Sequence, residues 1–242
     1  RRFLVEGPVA SGGMGVIFRA VDRGSGKPVA LKLLQNLGGA TEVERFRREA
    51  GILDELRHPH IVSYVAHGLD ETGRRYLAME WLDGEDLAQR LRRGPLPLSE
   101  AVALLHGVSA ALAEAHAHGV VHRDIKPSNL FLRGADPARV VVLDFGIARR
   151  TLQSGVLTRT GALIGTPEYM STEQARGAPD IGPAADIFSL GSVLYECLAG
   201  EAPFRGEHVA AVLVKVLFEE PRSLTSRRAD VPQALGELVT RM

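Results

Sequence analysis

The sequence predicts an α+β fold in two lobes, a β-rich first third followed by a mainly helical remainder. Short apolar runs typical of strands dominate up to about residue 81, and helical spacing of apolar residues dominates from about residue 87. The 242 residues suffice for two small lobes that share an interface, joined by the segment at about 82–86. A cleft between such lobes is the expected place for a ligand site.

The first lobe contains five strand-like runs and one helix. The helix carries Ala50 and other apolar residues at helical spacing, and it ends at His58-Pro59 because proline cannot continue the hydrogen-bond ladder. The predicted strands are Val5–Ala10, Val16–Val21, Pro28–Leu34, Ile61–Ala66 and Tyr76–Glu80. The second of these runs is separated from the first by a cluster of glycines.

The second lobe is predicted to be mainly helical. Its helices lie at about Ala101–Ala117, Pro183–Ala199 and Glu207–Leu217, with a short strand at Val140–Leu143. Gly119 is a plausible C-cap of the first of these helices. Residues 147–166 lack periodicity and form a long loop, of a length that is usually functional or disordered. A helical pattern continues to Met242, so we expect a fragment of a longer protein.

The composition excludes several classes of protein. Lys plus Arg and Asp plus Glu each total 29, so the chain lacks the positive excess of a generally basic nucleic-acid binder. The single cysteine, Cys197, excludes an internal disulfide framework and indicates a reducing compartment. We therefore expect a cytoplasmic domain without nucleic-acid partners and without direct membrane contact, although the parent protein could be tethered to a membrane.

A glycine-rich segment lies between the first two predicted strands. It reads Ala10-Ser11-Gly12-Gly13-Met14-Gly15-Val16-Ile17. Glycines allow backbone N–H groups to approach phosphate oxygens without obstruction by side chains. Taken alone, the segment is equally consistent with an ordinary hairpin turn.

Lys32 interrupts a strand that is otherwise suited to a core, Val29-Ala30-Leu31-Lys32. A buried ammonium needs an anionic partner, and Glu49 on the following helix is the natural candidate. The alternative is that Lys32 extends its charged end to the surface.

A dense polar cluster, His122-Arg123-Asp124-Ile125-Lys126-Pro127-Ser128-Asn129, follows the helix that ends near Ala117. Within it, Asp124 can accept a proton from a hydroxyl, Lys126 can steady a phosphate, and Asn129 can offer a carbonyl oxygen to magnesium. Asp144-Phe145-Gly146 directly follows an apolar strand, a good position for a carboxylate that holds a metal.

These motifs together resemble the eukaryotic-like (Hanks-type) protein kinases, and specifically bacterial serine/threonine protein kinases. The resemblance covers essentially residues 1–242 and implies a kinase catalytic domain with lobes at about 1–81 and 87–242 and a hinge at about 82–86. Seven motifs occur in family order: the glycine loop, Val29 to Lys32, Glu49, Met79-Glu80-Trp81-Leu82, His122 to Asn129, Asp144 to Gly146, and Gly165-Thr166-Pro167-Glu168-Tyr169.

The resemblance implies a role for each site residue in binding ATP with Mg²⁺, or Mn²⁺ in its place. The nucleotide would be contacted by residues of both lobes: Val9, Ala10, Gly12, Gly13, Gly15, Ile17, Ala30, Lys32, Met79 as gatekeeper, Glu80, Leu82, Asp86 and Phe131. Lys32 would pair with the phosphates and be held by Glu49. Asn129 and Asp144 would hold the metal, Asp124 would orient and deprotonate the hydroxyl, and Lys126 would assist.

Protein substrates and a regulatory loop are also implied. Lys126 and Gly165-Thr166-Pro167 resemble serine/threonine rather than tyrosine kinases. Arg123 precedes the catalytic aspartate, as in kinases activated by loop phosphorylation. A phosphate on Thr158 or Thr160 could pair with it, and in a possible homodimer two copies of the chain could phosphorylate one another. The alternative is that both are ordinary loop threonines.

The sequence departs from the family pattern at two places. Ala10 replaces the usual first loop glycine, and Ser171-Thr172-Glu173 replaces Ala-Pro-Glu. In the family the glutamate pairs with an arginine that should lie beyond Met242, so the chain is expected to stop before the last helices. Asp186 is implied to anchor the catalytic loop. His116, His118 and His122 form a metal-like pattern, but the resemblance gives the first and last of them a structural role.

Two other functions compete with an active protein kinase. An ATP-binding pseudokinase or scaffold would lack Lys32, Asp124, Asn129 or Asp144, but all four are present. A small-molecule phosphotransferase of related fold shares the aspartate–asparagine loop, whereas the long loop that ends in Gly165 to Glu173 favours a protein substrate.

Overall fold

The computed structural model describes residues 2–12, 15–34, 50–51, 54–145 and 166–242. These residues fall into two compact units, the first ending at Asp83 and the second beginning at Gly84. The division lies inside the segment 82–86 that the sequence pattern predicts as the connection. Several residues named above lie outside the described residues, as does the predicted loop up to residue 165: Gly13, Met14, Glu49, Gly146, Thr158, Thr160 and Gly165.

The first unit is built on a five-stranded antiparallel sheet in the order β1-β2-β3-β5-β4. Its strands are β1 Phe3–Gly12, β2 Gly15–Asp22, β3 Pro28–Leu34, β4 Tyr64–Leu69 and β5 Arg75–Glu80. Residues 50–51 and 54–55 are helical. The start predicted for β4 is wrong by three residues, because the Ile61 N–H donates to the His58 carbonyl and closes a turn after Pro59.

The sheet buries apolar side chains on both faces. One cluster contains Ala20, Val29, Leu31 and Ala78. The opposite cluster joins Leu34 and Leu77 to Ala50 of the helical segment, with Tyr64 packed against it. This alternation along β3 is the period of two that a sheet covered on both faces requires.

The second unit combines a small sheet with seven helices among its described residues. The sheet has the order β6-β7-β8, from Gly84–Asp86, Leu130–Arg133 and Val140–Val142. The helices are α1 Leu87–Leu91, α2 Leu98–Ala117, α3 Thr172–Ala175, α4 Ala184–Ala199, α5 Val209–Phe218, α6 Leu224–Arg227 and α7 Gln233–Arg241. The predicted α+β class is confirmed. Strands β6 and β7 were missed because three or four residues show no readable period.

Helices α2 and α4 form the centre of this unit. They pack against one another, and α2 also contacts β8. Within the described ranges α2 is the one helix whose length and hydropathy would allow it to cross a membrane. Its residues Leu104, Val108, Ala111 and Leu112 are buried, as in a core helix. In α4, burial raises the pKa of the Cys197 thiol, which is consistent with a packed rather than a reactive cysteine.

Candidate active site

In the first unit, strand register brings five predicted nucleotide-binding residues onto one face of the sheet. Ala10 pairs with Ile17 across β1 and β2, and Ile17 pairs with Lys32 across β2 and β3. Ala30 lies two residues before Lys32 and pairs with Met79 on β5. Directly opposed residues, and residues two apart on a strand, share a face. The sheet therefore collects these side chains even though they are far apart in sequence.

Strands β1 and β2 pair as far as Gly12 and Gly15, which flank the centre of the glycine-rich segment. Gly15 has a φ of +142°, and a Cβ on it would lie 2.0 Å from the Leu33 carbonyl oxygen. Only glycine fits there, because β2 and β3 approach so closely. Val9 is 56% exposed on β1, at a register shift between Pro8 and Ala10. An apolar side chain left open in this way is available to a ligand.

Lys32 is 6% exposed, which argues against the alternative that its charged end reaches the surface. It lies on the face of the sheet where Leu34 and Leu77 pack against Ala50. Glu49, the predicted partner of Lys32, precedes Ala50 in the chain but lies outside the described residues. Their ion pair stays a prediction.

In the second unit, two predicted catalytic residues and one predicted metal ligand are in direct contact. The Lys126 Nζ lies 3.0 Å from Asp124 Oδ2. The amide nitrogen of Asn129 donates to the Asp124 backbone carbonyl at 2.7 Å and to Asp124 Oδ2 at 3.1 Å. Because the amide nitrogen makes both contacts, the carbonyl oxygen Oδ1 of Asn129 is the atom that can ligate a cation.

The backbone that carries Asp124 is fastened by a buried carboxylate. Asp186 of α4 is 0% exposed and accepts the N–H groups of His122 at 2.8 Å and Arg123 at 2.7 Å. It also contacts His116 Nε2 at 2.8 Å. The implied anchoring role of Asp186 is thus confirmed. Three donors on one carboxylate compensate the cost of burying its charge.

His122 links the Asp124 loop to the segment that precedes Asp144. Its Nε2 lies 2.7 Å from the Leu143 carbonyl oxygen, and its Nδ1 accepts the Asp124 N–H at 3.2 Å. Since a carbonyl oxygen only accepts, Nε2 carries the proton and the ring is neutral. The ring also packs edge-on against Phe145, with centroids 4.8 Å apart. His122 therefore has a structural role, in which it connects these two segments.

Asp144 is positioned by the same framework. The Leu143 N–H donates to the Asn129 carbonyl at 2.9 Å, so the backbones bearing the two predicted metal ligands adjoin. Asp144 has a φ of +54° and Arg123 a φ of +64°, both in the left-handed region that non-glycine residues seldom occupy. Such strain persists only where surrounding contacts impose it, and it concentrates at functional sites.

The donors in this framework suit a hard divalent cation. An amide oxygen from Asn129 and a carboxylate from Asp144 are the ligand types that Mg²⁺ prefers. The three histidines that resemble a metal site in the sequence instead contact three different partners. His116 contacts Asp186, His118 contacts the Glu114 carbonyl, and His122 contacts Leu143.

The remaining predicted residues lie near the division between the units. Glu80 ends β5, and its Oε1 accepts the Ser63 N–H at 2.8 Å. Leu82 follows in the first unit. In the second unit Asp86 pairs with Phe131 across β6 and β7. The Asp86 carboxylate caps α1 by accepting the Gln89 N–H at 2.8 Å, a role the sequence analysis missed.

The segment that begins at Thr166 is fixed to α4. The Tyr169 hydroxyl donates to Glu196 Oε2 at 2.5 Å, and the Ser189 hydroxyl donates to the Tyr169 carbonyl at 2.7 Å. Burial raises the pKa of the Glu196 carboxyl, against the opposing effect of the Tyr169 hydrogen bond. Burial also raises the pKa of Tyr169. The segment is therefore held at both its backbone and its side chain.

The departure at Ser171-Thr172-Glu173 creates a helix cap. Ser171 Oγ accepts the Gln174 N–H at 3.3 Å, and Gln174 Oε1 accepts the Ser171 N–H at 3.1 Å, which is a capping box for α3. Gln174 Nε2 also donates to the Arg123 carbonyl at 2.9 Å. Sequence reasoning missed Gln174, although a serine followed three residues later by glutamine is the signature of this cap.

Comparison with known proteins agrees with this geometry. The family model described as protein kinase domain matches residues 3–242. The chain is 40% identical over 250 residues to the serine/threonine-protein kinase pkn3 of Myxococcus xanthus, covering 99% of this chain and 46% of that protein. It is 38% identical over 245 residues to the serine/threonine-protein kinase PknA of Mycobacterium tuberculosis, covering 98% and 55%. The chain thus spans about half the length of these relatives.

A solved structure supports the fold independently. The crystal structure of Rad53 1-466 in complex with AMP-PNP matches with a TM-score of 0.80 at 23% identity, over 99% of this chain and 60% of that one. At that identity the match speaks for the fold alone. With the family model matching residues 3–242, the chain belongs to the protein kinase domain family.

Proposed function

We propose that the chain is the catalytic domain of a serine/threonine protein kinase that transfers the γ-phosphoryl group of ATP to hydroxyls of proteins. The observation that carries the proposal is the direct contact of Asp124 with Lys126 and Asn129 on a loop anchored by Asp186. The kinase names of the relatives support the same activity.

The chemistry follows from the charges on that loop. Asp124 holds the acceptor hydroxyl by hydrogen bonding and takes its proton as the hydroxyl oxygen attacks the γ-phosphorus, while the bond from that phosphorus to the bridging oxygen breaks and ADP leaves. Lys126, 3.0 Å from Asp124, places a positive charge where the transferred group gains negative charge. Asn129 fixes the Asp124 carboxylate through its amide nitrogen.

A divalent cation is part of this proposal. Asn129 and Asp144 would hold Mg²⁺, which when bound neutralises phosphate charge. A test of this role is Asn129→Ala assayed over a range of Mg²⁺ concentrations. We expect the concentration for half-maximal activity to rise about tenfold, since one ligand is lost. An unchanged concentration would show that Asn129 is no ligand.

The activity itself is tested by incubating the chain with ATP labelled at the γ-phosphate, Mg²⁺ and a generic protein substrate. We expect phosphoserine or phosphothreonine, and none after chelation of the metal. ATP binding without transfer would favour the pseudokinase. Transfer only to small molecules would favour the phosphotransferase of related fold.

We further propose a cytoplasmic location and modification of one copy by another at Thr158 or Thr160, with Arg123 as the partner of the phosphate. The single Cys197 supports a reducing compartment. Mixing the active chain with a tagged Asp124→Asn copy tests the second point by mass spectrometry. The tagged copy should gain phosphate at one of these threonines, and an unmodified copy would contradict the proposal.

A further inference from the structure

Gln174 joins the segment after the long loop to the loop that carries Asp124. Its Oε1 accepts the Ser171 N–H at 3.1 Å, while its Nε2 donates to the Arg123 carbonyl oxygen at 2.9 Å. The two ends of this bridge are 51 residues apart in the chain. One side chain thus connects two segments that the chain itself does not bring together.

The carbonyl that Gln174 contacts belongs to the peptide that joins Arg123 to Asp124. The N–H of the same peptide, on Asp124, donates to His122 Nδ1 at 3.2 Å. The peptide is therefore held at both its oxygen and its nitrogen. Arg123 has a φ of +64°, so this backbone would relax if the contacts were lost.

The other end of the bridge is mounted rigidly. Gln174 belongs to the capping box of α3, and Ser171 is fully buried. Just before it, Tyr169 is bound to α4 through Ser189 and Glu196. A donor on α3 therefore has a fixed position relative to the core of the second unit.

We propose that Gln174 is a positioning residue for Asp124. It rests on the proposed function, in which Asp124 accepts the proton of the substrate hydroxyl. The amide is needed because one side chain must accept from the Ser171 N–H and donate to the Arg123 carbonyl. A carboxylate could only accept, and would set negative charge against the carbonyl oxygen. An apolar side chain could do neither.

The test compares Gln174→Glu and Gln174→Leu with wild type in steady-state kinetics. At about pH 8 the Q174E carboxylate is ionised, and we expect kcat to fall about tenfold with an unchanged KM for ATP. The Arg123 carbonyl oxygen beside the new carboxyl of Q174E disfavours its charged form and raises its pKa above the ordinary value of about 4.3. As the pH falls toward about 5, a growing fraction of this carboxyl is protonated and can donate to the Arg123 carbonyl, so the ratio of Q174E to wild-type kcat should rise. Q174L should stay low throughout.

The ratio to wild type removes the titration of groups that both proteins share. Charged or titratable groups near the bridge or on helices that pack with α3 include Asp124, Lys126, Asp186, His116, His122, the Arg123 guanidinium, Tyr169, Glu173, Arg176, Tyr195, Glu196, Cys197 and Lys215. Gln233→Glu is the matched control, since Gln233 lies on α7 and contacts Glu237. Its kcat should remain at the wild-type value at every pH.

The outcomes separate this inference from the proposed function. With an active wild type, a Q174E kcat within about twofold of wild type at about pH 8 would overturn the inference alone. Parallel pH profiles for Q174E and Q174L would do the same, because a purely structural loss has no reason to recover on protonation. A wild-type chain without phosphoryl transfer would overturn the function and the inference together.

Discussion

The two units position their predicted site residues by different means. In the first unit, Ala10, Ile17 and Lys32 share a face of the sheet because the strands pair in one register. In the second, Asp124 lies on irregular backbone that hydrogen bonds to His122 and Asp186 hold in place, and Asn129 ends the single 3-10 turn that follows it. Register is set by the apolar pattern of the strands, whereas the hydrogen-bonded loop depends on partners far along the chain.

This difference has consequences for tolerance to mutation. A sheet is specified by many residues together, so the loss of one site side chain should leave its neighbours in place. The loop of the second unit depends on a few polar groups, among which Asp186 serves three donors. Its geometry should fail when one of those groups is lost. The mutations below test this contrast.

The largest effect is expected for Asp124→Asn in the second unit. The amide cannot accept the proton of the hydroxyl, so kcat should fall about 10³- to 10⁴-fold. The measurement is the initial rate of phosphate transfer to a protein substrate, with circular dichroism to confirm folding. The exposed Asp180→Asn is the matched control and should keep wild-type activity. Near wild-type transfer by Asp124→Asn would remove this residue from the chemistry.

Lys32→Met tests the first unit. A lysine–phosphate contact at about 4 Å in an effective dielectric near 20 contributes roughly 4 kcal/mol before desolvation. Expressed wholly in the transition state, this is about a thousandfold in kcat. Because strand register rather than the Lys32 side chain specifies the sheet, the thermal unfolding midpoint of Lys32→Met should be close to that of wild type. Lys27→Met, in the exposed turn before β3, is the control.

A large fall in the thermal unfolding midpoint of Lys32→Met would contradict the contrast between the two units. It would show that the ammonium holds the first unit together. An unchanged kcat with a raised KM for ATP would instead support the contrast between the two units and limit Lys32 to the binding of ATP.

The contrast also explains what could be predicted from the sequence. The strands β2, β3 and β5 followed from apolar runs, because a sheet pattern is local. A compact motif of eight residues indicated that Asp124, Lys126 and Asn129 belong to one site, but it did not predict that Lys126 and Asn129 contact the Asp124 carboxylate. Gln174 was missed because its partner, the Arg123 carbonyl, is a backbone atom 51 residues away. The helix cap made by Asp86 was missed because Asp86 had already been assigned to nucleotide binding.

Asp186→Asn should have a smaller effect that combines stability and rate. Three donors share the two carboxylate oxygens of Asp186, whereas an asparagine amide has only one acceptor oxygen. One buried N–H therefore loses its acceptor. We expect a loss of about 2–4 kcal/mol in the free energy of unfolding, measured with urea. The kcat of the folded fraction should fall about tenfold, because the Arg123 backbone is released. Unchanged values for both would contradict the framework.

The smallest effects concern two carboxyls five residues apart in the second unit. Burial raises the pKa of Glu196, so its ionisation in the folded state opposes folding as the pH rises above the unfolded value of about 4.3. A hydrogen bond from Arg205 lowers the pKa of Glu201, so its ionisation supports folding, and that support is lost as the pH falls. Glu196→Gln, which can still accept from Tyr169, should therefore raise the urea midpoint at pH 8 more than at pH 5.

Glu201→Gln should change the midpoint in the opposite direction. It removes a charge that Arg205 and Arg227 stabilise, so the midpoint should fall at pH 8 and the fall should shrink toward about pH 4. Both variants make the same Glu→Gln change, so opposite shifts of the urea midpoint would separate the effect of burying a carboxylate from the effect of pairing it with arginine. If Glu196→Gln were destabilising at pH 8, the Tyr169 hydrogen bond would outweigh the desolvation of the carboxylate. The buried polar framework would then be a source of stability as well as of position.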